Sequence, residues 1–417
     1  MWFVELFLPI LIIELVIMYL KEIVFYLFAI LLLGGCAEKT SENNISEVIN
    51  INPYVAEDYI NLSEFVDSIE YIKLQVNDDD IMGRVREIVI KKKYIYAIDV
   101  LQQIIFVFDK KGNFVAKLDK RGEGPDEYAF MGLVYIDDNE EYIELINSRG
   151  KEKTTMLKYS NISFELIDIL SFPFVVSNSS KKSKGIYYFA TQQIDNVING
   201  KATNANLIVV DENKKLEILF DKNIETNNNY FSFNPESFVK NDKGEIFFSQ
   251  MYDNTFYQLE AGKAFPVFTV DFGGYAMDNA VGLKSTKKQL EYIEAMKGLA
   301  SFPILDMNNT DIMSFSYFFK QEKGRIYKEE DLRHYIRFKK DDVVYHVNKI
   351  KNDITDFPSN IVLNSFYLTH EVWSDDYLVD IVLPYYRLPD EKVFVENLGE
   401  ITREDDPIIV MMKLKNR

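Results

Sequence analysis

Short apolar segments separated by tight turns recur along the chain from Leu62 onward, and this pattern leaves few folds open. Between Val85 and Leu118 four such segments follow one another. The pair Gly112-Asn113 separates the last two and is typical of a β-hairpin, because both residues tolerate positive φ. The 26 Tyr and 31 Phe residues also favour half-buried pleated surfaces. The sequence therefore predicts an all-β chain.

The strand pattern repeats with a spacing typical of β-propeller blades. The candidate inner strands, one per repeat, are 95–99, 142–146, 187–191, 246–250, 335–339 and 366–369. The first three begin 47 and then 45 residues apart, as expected for four-stranded blades, whereas the later spacings are irregular. We therefore predict a six-bladed β-propeller of four-stranded blades over residues 61–417.

Two further segments refine the predicted ring. An amphipathic stretch at 283–297 places Leu283, Leu290, Ile293 and Met296 near one helical face, which predicts a short helical insertion in one blade. Segments 71–76 and 408–414 are both strand-like and lie near the two ends of the repeat region. Because a propeller closes most simply when its ends share a blade, we expect these two segments to pair.

Composition excludes several classes of function. The formal net charge of −18 argues against nucleic-acid binding, which needs a basic face to replace condensed counterions. One cysteine excludes an intrachain disulfide, and three histidines leave little room for a histidine-rich metal centre. No cofactor and no nucleic-acid partner are predicted.

The first 35 residues are almost entirely apolar. Glu5 and Glu14 make the first apolar run a poor membrane helix. Read from Met18, the segment is typical of a signal peptide, with one lysine, an apolar run at 23–33 and small residues before Cys36. Leu33-Gly34-Gly35-Cys36 resembles a bacterial lipobox. We expect a signal peptide over 1–35 with its true start at Met18, lipidation of Cys36, and a polar tether over 36–60.

The segment Arg121-Gly-Glu-Gly-Pro-Asp-Glu-Tyr128 resembles the RG-x-GP-x-EY segment of six-bladed β-propeller lipoproteins of Bacteroidetes, relatives of NHL-repeat propellers. Segments 62–74, 95–99 and 406–415 are similar to that family's opening, inner and closing strands. Asp126 stands where the family usually has glycine. The resemblance implies a propeller on a lipid anchor at the cell envelope, without a settled activity and without a catalytic residue to transfer.

The same segment carries the candidate site, with two interpretations open. Backbone N–H groups at Gly122 and Gly124 are suited to an anion nest, beside which Arg121 would pair with a carboxylate or phosphate. Alternatively, the segment is the crossover between two blades, with Glu127 bonded to backbone. The candidate ligand-binding or crossover residues are Arg121, Gly122, Gly124, Glu127 and Tyr128.

Other candidate sites have simpler interpretations. His334, His346 and His370 come from one or two adjacent blades, whereas an axial metal draws ligands from several, so we predict no metal site. The acidic segment 77–80 lacks the spacing of a calcium loop and is interpreted as a turn, and 137–141 as a hairpin tip. No nucleophile elbow, P-loop or dinucleotide motif is present.

The predicted function is a binding or scaffolding module for a protein, peptide or glycan at the mouth of the central channel, with loop Tyr and Phe side chains as contacts. The alternative is a carboxylate- or metal-dependent lyase or hydrolase in the same channel, and a third reading is a structural subunit of an envelope complex. An enzyme should place His or several acids from at least three blades at the axis. The expected location is the outer membrane, by the N-terminal lipid, facing the periplasm or the surface.

Overall fold

The computed structural model describes residues 46–77, 79–147, 153–176, 179–183, 185–191, 196–198, 200–211, 213–225, 238–241, 243–324, 329–357, 369–372, 376–388 and 392–415. Residues Ser46–Arg417 form one compact unit, which includes residues 46–60 of the predicted tether. The predicted signal peptide, Met18, Cys36 and most of segment 366–369 lie outside the described residues. Within the described part of the chain, no helix is both long and apolar enough to cross a membrane.

Six sheets form a six-bladed β-propeller, which confirms the predicted fold. The N-terminal segment contributes strands β1 (Glu47–Asn50), β2 (Ile60–Asn61) and β3 (Val66–Lys73). Blade 1 contains β4 (Val85–Ile90), β5 (Tyr94–Asp99), β6 (Ile104–Asp109) and β7 (Phe114–Leu118). Blade 2 contains β8 (Met131–Ile136), β9 (Tyr142–Asn147), β10 (Thr154–Ser160) and β11 (Leu166–Phe172).

The next two blades follow the same order. Blade 3 contains β12 (Ser179–Ser183) and β13 (Ile186–Ala190), then a separate hairpin of β14 (Asn196–Ile198) and β15 (Lys201–Thr203), then β16 (Ala205–Val210) and β17 (Leu216–Asp221). Blade 4 contains β18 (Phe238–Lys240), β19 (Ile246–Ser249), β20 (Thr255–Glu260) and β21 (Lys263–Asp271).

Blade 5 contains β22 (Leu299–Asn308), β23 (Ile312–Lys320), β24 (Leu332–Phe338) and β25 (Val343–Val347), and β26 (Ile350–Lys351) follows it. Strand β27 (Thr369–Val372) pairs in parallel with β4. The last part of the chain contains β28 (Tyr377–Val382), a hairpin of β29 (Val393–Val395) and β30 (Gly399–Ile401), and β31 (Ile408–Leu414). The described helices are α1 (Thr286–Ala295), the short α2 (Pro384–Arg387) and the 3-10 helices Pro53–Val55, Leu62–Glu64, Gly273–Tyr275, Asn279–Leu283 and Glu329–Asp331.

Blade 6 closes the ring by joining the two ends of the compact unit. Strand β31 lies between β28 and β3 and is antiparallel to both. Ile409 is opposite Ile381 on one side and Ile72 on the other, and it is fully buried. This pairing confirms that the first and last strand segments share one blade.

The first strands of blades 2 to 5 face the axis, because β8 contacts β12, β12 contacts β18 and β18 contacts β22. The strands predicted as inner are therefore second strands in blades 1 to 4, and 335–339 falls in the third strand of blade 5, so this assignment was wrong. A second strand is flanked by strands on both sides and by neighbouring blades on both faces. A second strand therefore carries the most continuous apolar run, and this run led to its prediction as the inner strand.

Several tight turns use one local device, an Asp whose side chain accepts backbone N–H groups two and four residues later. Asp109 accepts from Lys111 at 2.8 Å and from Asn113 at 3.0 Å, which confirms the predicted hairpin. Gly112 has a φ of 87°, and a Cβ there would overlap the carbonyl oxygen of Lys73. The same device recurs at Asp137 and Asp211, and Asn241 accepts from the N–H four residues later.

Residues 47–76 run around the outside of the ring and are called the N-terminal belt. Strand β1 adds in parallel to β21 of blade 4, and β2 pairs in parallel with β26 beyond blade 5. Strand β3 is the outer strand of blade 6, and the Gln75 N–H donates to the carbonyl of Gly112 in blade 1 at 3.0 Å. Among the described residues, the outer strands β11 and β17 of blades 2 and 3 have no such partner.

Helix α1 lies within the predicted helical insertion, between blades 4 and 5. Ile293 is buried as expected, but Leu283 is 62% exposed and does not belong to the buried face. Gln289 is buried instead, accepting from the Tyr252 hydroxyl at 2.9 Å and donating to the carbonyl of Gly282 at 2.9 Å. Gln289 can thus occupy the buried face of α1, where an apolar residue was expected, because its side-chain amide is hydrogen-bonded inside the fold.

Candidate functional site

The strand order gives the ring two different ends. The turns between first and second strands, and between third and fourth, lie at one end, which we call the tight-turn end. The other connections leave from the opposite end, called the long-connection end. They include the longest segments between blade strands, 119–130, 191–204, 222–237, 272–298, 352–368 and 383–407.

Exposed aromatic side chains mark the long-connection end. Phe130 is 50% exposed, Tyr385 and Tyr386 are each 64% exposed, and Phe394 is 72% exposed. They lie on connections before β8 and between β28 and β31. An exposed aromatic side chain offers both a large apolar face and, for Tyr, a hydrogen-bonding hydroxyl, so this end is suited to binding.

The Tyr385–Tyr386 pair is held in place by charged neighbours. Its two rings contact edge to face with centroids 5.2 Å apart, and the Arg403 guanidinium lies 5.1 Å from the centroid of the Tyr385 ring. Arg387 closes helix α2 against β28 through two contacts with the Asp380 carboxylate at 2.6 and 2.8 Å. The pair is therefore presented on an ordered support.

At the tight-turn end, one carboxylate joins three blades. Asp138, in the first turn of blade 2, contacts the ammonium groups of Lys91 in blade 1 at 3.0 Å and Lys240 in blade 4 at 2.8 Å. Burial alone would raise the pKa of Asp138, but Lys240 and then Lys91 lower it further than burial raises it. Blades 1 and 4 are three places apart in a ring of six, so this contact crosses the axis.

The segment from Arg121 to Tyr128 is the crossover from β7 of blade 1 to β8 of blade 2. The N–H of Gly122 donates to the carbonyl of Tyr128 at 2.9 Å, and Tyr128 donates back to the carbonyl of Lys120 at 3.0 Å. Glu127 Oε2 accepts from the N–H of Gly124 at 2.6 Å, as the crossover interpretation expects. A Cβ on Gly122 would overlap the Glu127 carboxylate.

Tyr128 is fully buried beneath this crossover, and its hydroxyl donates to the carbonyl of Gln103 at 2.6 Å. Burial raises the pKa of Tyr128 to about 12. Arg121 points to solvent, whereas the other four candidate residues fold the loop onto itself. The structure thus brings the five candidates together as a crossover, and their role toward a ligand stays a prediction.

Substitutions in this loop distinguish the two interpretations. Glu127→Ala is expected to lower the free energy of unfolding by about 1–2 kcal/mol, because it removes a charge-assisted hydrogen bond to backbone. Arg121→Ala is expected to change it by less than about 0.5 kcal/mol, because its side chain is exposed. Urea unfolding of the two variants measures both values. An Arg121→Ala loss as large as that of Glu127→Ala would contradict the crossover interpretation.

His334 and His346 lie in the third and fourth strands of blade 5. His334 Nδ1 lies 3.0 Å from the Ser316 hydroxyl, which donates to Asp306 Oδ2 at 2.7 Å. His346 Nε2 lies 2.7 Å from the Tyr317 hydroxyl. Burial lowers the pKa of both imidazoles to about 4. His370 lies in β27.

The predicted acidic segments lie in turns. Asp80 contacts the Lys117 ammonium, and Asp78 lies outside the described residues. Segment 137–141 forms the tip of the β8–β9 hairpin, where the buried Glu140 carboxylate accepts from the N–H groups of Lys93 and Tyr94 at 2.9 Å each. Within the part of the chain that is described, no three His, Cys, Asp or Glu side chains are grouped closely enough to hold a metal ion.

A cleft of about 250 Å³ lies between blades 2 and 3, where the second half of β11 meets the tight turns of blade 3. Glu144, Lys158 and Asp168 occupy adjacent register positions across β9, β10 and β11 and line it. Glu144 is only 1% exposed and accepts from the Tyr187 hydroxyl of blade 3 at 3.0 Å. Sequence reasoning missed this cleft, although a lone acid within the apolar strand β9 was a usable signal.

Two other groups were missed for different reasons. Asp138 belongs to the acidic segment 137–141, which was interpreted as a hairpin tip. Its neighbours in the sequence do not indicate a contact across the axis. Tyr385 and Tyr386 had a usable signal, since an aromatic pair after Pro384 in a segment between strands is rarely buried on both sides.

Comparison with known proteins agrees with this architecture. A family model matches residues 46–413. The chain belongs to the family described as Domain of unknown function (DUF4934). Among curated proteins, none matches this DUF4934 chain.

Two solved structures of low sequence identity resemble this DUF4934 member. The "Putative exported protein" of Bacteroides fragilis is 16% identical, with a TM-score of 0.63, over 88% of this chain and 100% of that chain. A member of the duf4221 family from Bacteroides vulgatus is 9% identical, with a TM-score of 0.49, over 84% of this chain and 98% of that chain. The family match and the Bacteroides fragilis structure confirm the predicted resemblance to a six-bladed propeller family of Bacteroidetes.

Proposed function

We propose that this DUF4934 chain is a lipid-anchored protein of the bacterial cell envelope that acts as a binding or scaffolding module. Its ligand, a protein, peptide or glycan, binds at the long-connection end of the ring. The observation that supports this proposal is the set of exposed aromatic side chains Phe130, Tyr385, Tyr386 and Phe394 at that end. Aromatic side chains stack on sugars and anchor partner proteins.

The two ends of the ring differ in a way that supports this choice. The tight-turn end carries short connections and is crossed by the Lys91–Asp138–Lys240 contacts. The long-connection end carries the segments that differ most in length between blades. Binding residues are disproportionately found on such loops when a rigid scaffold positions them.

The enzyme alternative receives less support from the described residues. Its strongest candidates, Asp306, His334 and His346, all belong to blade 5 and are hydrogen-bonded within it. The ionisable groups that do meet from three blades are two lysines and one aspartate. The described geometry therefore favours binding over acid–base chemistry at the axis.

Site-specific photo-cross-linking tests the proposed binding end in cells. The Tyr385→benzoylphenylalanine variant is expected to form adducts with an envelope component, whereas Val344→benzoylphenylalanine, on the outside of blade 5, is not. A glycan ligand is tested by affinity electrophoresis in soluble polysaccharides, where the triple variant Tyr385→Ala, Tyr386→Ala, Phe394→Ala should lose retardation. The proposal would be refuted if the Tyr385→benzoylphenylalanine variant formed no adducts and the unaltered chain showed no retardation.

The anchor has a separate test. Metabolic labelling with a radioactive fatty acid should mark the unaltered chain and not Cys36→Ser, and only the unaltered chain should sediment with membranes. Label on Cys36→Ser, or none on either chain, would remove the lipid anchor from the proposal and leave the binding end untouched.

A further inference from the structure

We propose that the outer edge of β11 in blade 2 is a second binding surface, which accepts an extended peptide with alternating apolar and basic residues. This surface lies at the outer rim of blade 2, beside the tight turns of blade 3. It is therefore distinct from the aromatic end, and the inference goes beyond the function proposed above. The peptide adds as a fifth strand of blade 2 and places its basic side chains in the cleft beside blade 3.

The chain itself shows that outer edges of this ring take added strands. The belt covers β21 of blade 4 with β1 and extends past blade 5 with β2. Strand β3 forms the outer edge of blade 6. Of the described outer strands, β11 and β17 are left without a contact from the belt, and β11 is the longer of the two. An unpaired edge is a ready template for another chain.

Strand β11 carries little of the charge that normally protects an edge, although a bulge at Ile167 interrupts its pairing with β10. It is seven residues long and has the sequence Leu-Ile-Asp-Ile-Leu-Ser-Phe, without Lys or Pro. Ile167 is 54% exposed and Ile169 is 49% exposed. The outer strand of blade 1, by contrast, has five residues and carries Lys117. A long apolar edge with little charge favours strand addition.

The cleft beside β11 selects the charge of the peptide. It is lined by three carboxylates, on Glu144, Asp168 and Asp211, and by two ammonium groups, on Lys158 and Lys214. Asp168 ends the row that crosses blade 2 in register, so a residue on an added strand would lie next to it. Its Oδ1 accepts from the N–H of Ile169 at 2.8 Å, which leaves Oδ2 for a basic side chain. Opposite charges at such cross-strand positions stabilise pairing, so a basic residue is preferred there.

The opposite side of β11 selects the apolar residues. Side chains alternate between faces over the regular part of β11, so Ile169 points away from the cleft side occupied by Asp168. The exposed Ile167 lies at the bulge just before Asp168. An added strand would place its alternate residues beside these two isoleucines. The resulting pattern is basic on the cleft side and apolar on the other, and partners with this pattern are predicted to bind.

The test uses the full chain purified in detergent and fluorescent peptides of about ten residues, long enough for one strand. One peptide alternates Val and Arg, a second has the same composition in two blocks, and a third alternates Val and Glu. Fluorescence anisotropy at physiological salt is expected to show binding of the first peptide, with the other two weaker by about tenfold or more. Amide hydrogen exchange should slow over 166–172 when the first peptide binds.

Substitutions at exposed positions locate the site without disturbing the core. Ile169→Lys and Asp168→Lys are each expected to weaken binding about tenfold. Val344→Lys, at an exposed position on the outer strand of blade 5, is expected to leave it unchanged. Equal binding of the alternating and block peptides, or binding that survives both β11 variants, would overturn the proposal.

A second copy of the chain is the competing occupant. If light scattering shows a dimer that Ile169→Lys dissociates, the edge belongs to self-association, and the peptide proposal is wrong. Adducts at Tyr385 are independent of all these outcomes. Failure of the β11 proposal therefore leaves the binding function of the long-connection end standing, and the converse also holds.

Discussion

Replacing Ile409 with aspartate is expected to abolish the folded ring. Ile409 is fully buried in the central strand of the closing blade, between Ile381 and Ile72. A carboxylate there would have no partner, and burying it costs more than about 4 kcal/mol, a large share of the stability of a typical domain. Circular dichroism during thermal unfolding and limited proteolysis would both report the loss.

The control for this experiment lies four residues further along the same strand. Lys413 is exposed, and Lys413→Asp introduces the same side chain without burying it. This variant is expected to unfold within a few degrees of the unaltered chain. If Ile409→Asp also unfolded within a few degrees of the unaltered chain, closure through blade 6 would not be what holds the ring together.

The second large effect concerns pH and the buried carboxyl of Asp306. Loss of solvent raises the pKa of Asp306 to about 7 from an ordinary value of 3.8, partly opposed by the hydrogen bond from Ser316. The folded chain therefore keeps a proton that the unfolded chain releases as pH rises from about 4 to about 7. Over that range the free energy of unfolding falls, by up to about 4 kcal/mol from this group.

Asp306→Asn removes this penalty because an amide stays neutral at every pH. Near pH 4 the variant and the unaltered chain should be about equally stable, and by pH 8 the variant should be the more stable one. His334 and His346 act in the opposite direction, since their lowered pKa values make stability rise with pH between about 4 and 6.5. Comparing the two chains at each pH cancels that histidine contribution.

Urea unfolding at pH 4.5 and pH 8 measures the difference. Asp126→Asn is a control of opposite sign, since Lys120 lowers the pKa of the exposed Asp126 and its stabilisation is present at high pH. The expectation would be contradicted if the free energies of unfolding of Asp306→Asn and the unaltered chain differed by the same amount at both pH values. So would a less stable Asp306→Asn chain at pH 8.

Local patterns along the chain predicted those parts of the fold that depend on burial of single strands. The apolar run of β5 and the Gly112-Asn113 turn were identified because the residue types in each depend on local burial or local backbone conformation. The closing strand β31 was identified for the same reason, as its run Ile408–Val410 is buried on both faces. Helix α1 followed from its period, although Leu283 did not lie on its buried face.

Contacts set by register or by the order of blades were not predictable in this way. Asp306, Ser316 and His334 meet because three strands align, and that alignment depends on bulges in β22. Asp138 contacts Lys240 only because the ring closes and brings blades 2 and 4 to the axis. The cleft at Glu144 likewise is lined by residues of blades 2 and 3, so the sequence of one blade does not give its shape.

The position of β3 in blade 6 has a consequence for how the chain reaches its native state. Val66 pairs with Leu414, so the earliest strand of this blade must remain without its partner until nearly the whole polypeptide has been synthesised. Pairing of segments so distant in sequence makes folding slow. During that interval β3 and the unclosed faces of blades 1 and 5 are exposed. This chain is therefore expected to need chaperones until its last strand is in place, and to aggregate when that strand is missing.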